Sequence, residues 1–98
     1  MSLRVTIQNA IKFYQSTVIK LNCRENKNDI WRCNYAISQL EYMLNIIDSD
    51  RLMKKFGEVQ SCFNAMNKGI EQFDSLEINR EHIRLNNEIY NKLFNHSA

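Results

Sequence analysis

Proline is absent from this chain, and glycine occurs only at Gly57 and Gly69. With so few breakers, little divides the chain into short strands and turns. No stretch alternates apolar and polar residues as a half-buried strand does. Long hydrophobic runs are missing as well. Nothing approaches the ~18 apolar residues of a membrane span, and the N-terminus lacks the continuous apolar segment of a signal peptide. Charge of one sign is not in excess either. The net charge is +2 over 98 residues, with acids and bases interspersed through the second half, so charge alone names no partner.

Chemistry-bearing residues are equally sparse. The three cysteines, Cys23, Cys33 and Cys62, are an odd set without paired metal-type spacing. They read as reduced thiols of a cytosolic protein, small hydrophobes of the interior. His82 and His96 are the only histidines. Cys62 with His82 is conceivable as a dyad across a bundle, but nothing in the spacing supports it, and a lone helical histidine reads as a surface or boundary residue. Glu-x-x-His pairs, glycine-rich phosphate loops and zinc motifs are all missing. The expectation is therefore no catalytic residue, no cofactor and no metal.

What the chain does have is helical periodicity. Ile7, Ile11, Tyr14, Val18 and Leu21 recur every four or three residues, widened by Ala10 and Phe13, and predict a first helix over about 3–21. The polar stretch Asn22 to Lys27 follows, a connection of the length found between antiparallel neighbours. Ile30, Cys33, Ile37, Leu40, Leu44 and Ile47 predict a second helix over 29–48, capped by Asn28 or Asp29. Asp48-Ser49-Asp50 makes a tight turn. Leu52, Phe56, Val59, Phe63, Met66, Ile70 and Phe73 then repeat four and three without a miss, predicting a third helix over 51–74. Gly57 and Gly69 lie off that seam, and each leaves room for a kink or a close helix contact. The fourth helix, over 77–94, carries Ile83, Leu85, Ile89, Tyr90, Leu93 and Phe94. Its charges include Glu81, Arg84 and Glu88, three or four apart. The fold class expected is all-α, one domain over 1–98, an up-down antiparallel bundle of four helices. The alternative is a three-helix bundle with the fourth helix loosely docked or swapped. Met1-Ser2-Leu3 is also compatible with a vector-derived start.

Asparagine is common inside these patterns, where its side chain competes for backbone hydrogen bonds. Local helix propensity is accordingly weak, and packing has to stabilise the helices.

The second helix is apolar on two sides. Trp31, Tyr35, Tyr42 and Ile46 fall together roughly opposite its seam at about 100° per residue. Either other helices of the same bundle cover that side, or it is an aromatic stripe of the kind interfaces favour. On the second reading the chain is a non-enzymatic protein-binding module: a small adaptor, chaperone-like escort or regulator. Its partner-binding residues would be Trp31, Tyr35, Tyr42 and Ile46, with Arg32 and Gln39 at the rim. The same stripe pairing with a second copy gives a structural homo-oligomer. The first helix has only basic charges, Arg4, Lys12 and Lys20, which invites a nucleic-acid reading. Their spacing of eight fans them by roughly 80° per step, whereas a phosphate-tracking stripe needs alignment.

Overall fold

The computed structural model of the chain describes residues 2–21, 24–48 and 52–94. Four helices fill these segments: α1 (Leu3–Lys20), α2 (Lys27–Ile47), α3 (Leu52–Gly69) and α4 (Leu76–Phe94). The expected all-α bundle of four helices is what forms, and the described residues contain no strand. Helix α1 packs against α2 and α4, and α2 against α3, so the order around the bundle is α4, α1, α2, α3.

Cross-helix pairs give the directions. Tyr42 meets Glu58 while Tyr35 meets Ala65. Numbers fall on α3 as they rise on α2, so these neighbours are antiparallel. Gln60 with Leu93 and Asn67 with Asn86 establish the same for α3 and α4. Arg4, at the start of α1, reaches Asp48 at the end of α2.

One core runs through all four helices. It contains Ile7, Ala10 and Tyr14 from α1, Cys33, Ala36, Leu40 and Met43 from α2, Val59, Phe63 and Met66 from α3, and Leu85, Ile89 and Leu93 from α4. The α1 and α3 seams are close to those the spacing predicts. On α2 the most buried line runs through Cys33, Ala36, Leu40, Met43 and Ile46, whereas Ile30, Ile37, Leu44 and Ile47 are only partly covered. The cause is the position of α2 between α1 and α3. With neighbours on two flanks, the small Ala36 and the flexible Met43 occupy the middle, and the larger aliphatics flank them.

Two helix ends differ from expectation. Helix α2 starts at Lys27 after Asn26, whose side chain makes no capping bond, so neither Asn28 nor Asp29 is the cap. Helix α3 stops at Gly69, not near residue 74. Ile70 and Phe73 are nevertheless buried, at 1% and 3% exposure, from the connection that follows. Their spacing continues the α3 seam, so periodicity alone extends the helix through them. Ser49 to Arg51, which include most of the expected tight turn, and Cys23 and His96 lie outside the described residues.

Candidate interaction surface

Trp31 and Tyr35 are four apart on α2, which brings their rings together on one face. The rings stack, with centroids 5.4 Å apart and planes 3° from parallel. Such a pair contributes roughly 0.5–1.5 kcal/mol beyond its burial. Trp31 is 57% exposed, and Tyr35 is partly buried against the core. The Tyr35 ring lies on Gly69 of α3: a Cβ there would stand 2.7 Å from Tyr35 Cε2. A close helix contact is thus what Gly69 provides. Tyr42, half exposed, continues the edge two turns further along, and its hydroxyl donates to Glu58 Oε1 at 2.5 Å. That bond and the Glu58 charge push the Tyr42 phenol above its ordinary pKa.

The other residues expected in this surface are engaged within the chain. Ile46 is 6% exposed and belongs to the core, because the α2 flank it occupies is covered. Gln39 is partly buried, and its Oε1 accepts from Cys62 Sγ of α3 at 2.9 Å. Arg32 is tied down rather than free at a rim. Its Nη1 lies 2.8 Å from Asp29 Oδ1 and 3.3 Å from Asp74 Oδ1. Partial burial works against the guanidinium charge, but the bond to Asp29 and the field of Asp74 outweigh it, and the pKa rises. The two apolar sides of α2 therefore face α1 and α3, and what remains outside is an edge: Trp31, the open side of Tyr35, and Tyr42.

Asp29 is a residue that sequence reasoning assigned to the wrong task. Its carboxylate is buried, at 2% exposure, and accepts the Asp74 and Ser75 backbone N–H groups at 2.9 and 3.0 Å. These amides lead into α4, so Asp29 fastens the start of α2 to the start of α4, and Arg32 balances its charge. No local signal separates this from an ordinary first-turn acid, because its partners are 45 and 46 residues away.

His82 is the second. It is buried at 2% exposure, not a surface or boundary residue. Its ring stands edge-on to Phe73 at 4.9 Å, its Nδ1 is 2.6 Å from the Tyr14 hydroxyl, and its Nε2 is 3.2 Å from Asn86 Nδ2. Burial drops its pKa to about 4. Burial likewise raises the Tyr14 phenol, helped by Cys33. A signal for His82 was present: it precedes Leu85 by three and Ile89 by seven, which places it on the α4 seam.

The two thiols among the described residues, Cys33 and Cys62, are shielded. Burial lifts Cys33 to about 12 and raises Cys62 as well, and a protonated thiol is a poor nucleophile. Cys62 partners Gln39, while both His82 nitrogens are engaged elsewhere, so the two do not form a hydrogen-bonded dyad. Among the described residues, no group of three or more His, Cys, Asp or Glu side chains is placed to hold a metal. No helix there is long and apolar enough to cross a membrane. Of the basic residues on α1, Arg4 pairs with Asp48 at 2.7 Å. Compared with protein-family models, curated proteins and solved structures, the chain matches none.

Proposed function

We propose that this chain is a non-enzymatic protein-binding module, an adaptor, escort or regulator, that buries the α2 edge of Trp31, Tyr35 and Tyr42 against one protein partner. The observation that carries this reading is the exposed, parallel Trp31–Tyr35 stack seated on Gly69. Tryptophan and tyrosine dominate the energetics of interfaces. A ring already held by a neighbour loses little freedom on docking, so its burial translates efficiently into affinity. Trp31 is more than half exposed, so removing its ring should leave the fold intact.

The test uses Trp31→Ala and Tyr42→Ala alongside the unaltered chain. Both variants are expected to melt within a few degrees of the parent and to lose the protein that co-purifies with the parent from cells expressing it. Sedimentation and iodide quenching of Trp31 decide the occupant. A monomer with a quenchable tryptophan supports an outside partner. A micromolar dimer that Trp31→Ala abolishes assigns the edge to a second copy instead. Retention of the partner by both variants would overturn the reading.

A further inference from the structure

Helices α3 and α4 do not approach each other as closely as the other neighbouring pairs, and a groove of about 290 Å³ runs between them. Phe63 and Ile70, almost wholly buried, contribute its apolar surface, while Ile83 and Tyr90, each about half exposed, form its lip. Tyr90 is braced by its stack on Phe94 at 4.8 Å, which leaves Ile83 as the freer of the two.

A polar relay crosses the groove, and its direction can be worked out from one end. The Phe63 backbone carbonyl can only accept, so Asn67 must present Nδ2 to it, at 3.2 Å. Asn67 Oδ1 is then left to accept, so Asn86 must present Nδ2 in turn, at 2.6 Å. The second hydrogen of that Nδ2 faces His82 Nε2, which accepts it as a neutral ring. Counted from the Phe63 carbonyl, this direction makes His82 Nδ1 the donor to the Tyr14 oxygen and leaves Asn86 Oδ1 buried with no partner. An unmet buried acceptor costs about 1–3 kcal/mol, and flipping the amide would break the relay.

We propose that this groove binds a small neutral aromatic ring carrying one N–H or O–H donor, which lies against Phe63, Ile70 and Tyr90 and donates to Asn86 Oδ1. Asn86 lines the groove while its Oδ1 is shielded from solvent, so on this proposal the ring reaches the oxygen by displacing the side chains that shield it. An anion is disfavoured by Glu71 at the groove and by the carbonyl oxygen itself. A cation at Asn86 Oδ1 would lose its hydration against a neutral amide, since the Glu71 carboxylate at the groove is itself exposed to water. The site shares no residue with the α2 edge of Trp31, Tyr35 and Tyr42.

Indole and 1-methylindole, equal in shape except for the donor and its replacement by methyl, are the probes. Titrated into the full chain and followed by NMR, indole shifts the Asn67 and Asn86 side-chain amides and the Ile70 and Ile83 methyls. Indole binds about five-fold or more tightly than 1-methylindole, the difference one unmet acceptor makes. Asn86→Leu erases that preference while keeping ring binding. Ile83→Lys, at a half-exposed lip position, weakens both probes and keeps the test decisive should Asn86→Leu not fold. Equal affinity for the two probes, shifts confined to the Trp31 edge, or no shift at millimolar indole would each overturn the proposal.

Discussion

Burial makes His82 a base only in acid. Its pKa falls from an ordinary 6.5 to about 4, so the folded chain holds it neutral where the unfolded chain protonates it. The stability that this difference contributes is complete above about pH 6.5. It is lost progressively as the pH falls toward about 4, because the unfolded state takes up the proton first. Chemical denaturation across that window should show a loss on the order of 2–3 kcal/mol that His82→Gln flattens. The glycines make a second residue-level contrast. Nothing lies within 4 Å of a Cβ built on Gly57, so Gly57→Ala should raise stability by about 0.5–1 kcal/mol. At Gly69 the same substitution drives a methyl into the Tyr35 ring. Gly69→Ala should therefore yield no such gain and should change Trp31 emission, since the stack has to move. Paired melting curves and fluorescence spectra check both.

At the scale of the helices, Asp29 matters more than its own element shows. It accepts two backbone N–H groups from the connection into α4 and holds Arg32 of α2. Asp29→Ala would leave those two donors without their acceptor and Arg32 with Asp74 alone, at a cost of about 2–4 kcal/mol. Amide exchange at Asp74 and Ser75 should quicken first, and protection there equal to the parent would contradict this role. The α3 and α4 boundaries are set by the same connection. Phe73 N–H donates to Asn79 Oδ1, Ile78 N–H donates to Ser75 Oγ, and Ile70 and Phe73 fill the core from outside any helix. On the wet face of α4, Arg84 bonds both Glu81 and Glu88, as the three and four spacing implies.

The whole molecule is a bundle measuring 42 × 24 × 23 Å whose ring of contacts is tight from α4 through α1 and α2 to α3 and looser between α3 and α4. Its stability is concentrated where all elements share buried side chains. Leu40, fully buried, and Phe63, 1% exposed, lie in that shared core. Leu40→Ala or Phe63→Ala should each cost about 2–5 kcal/mol, a large part of the stability of so small a domain. A thermal midpoint unmoved by either would refute the core described. Trp31→Ala, outside it, should move the midpoint little, and this difference separates the surface ring from the packing.

The number of helices, most of their starts, and the inward faces of α1 and α3 were legible in the amino-acid order. A period near 3.6 is a local property, and breakers are confined to two glycines. The same order showed that α2 is apolar on two sides and exposed Trp31 and Tyr42 as candidates. It could not tell that Ile46 is buried, that Gln39 turns toward α3, that Arg32 answers two carboxylates, or that His82 is interior. The last three depend on partners distant in the sequence, Cys62, Asp74 and Tyr14. Periodicity records which residues share a face, and only packing decides what that face meets.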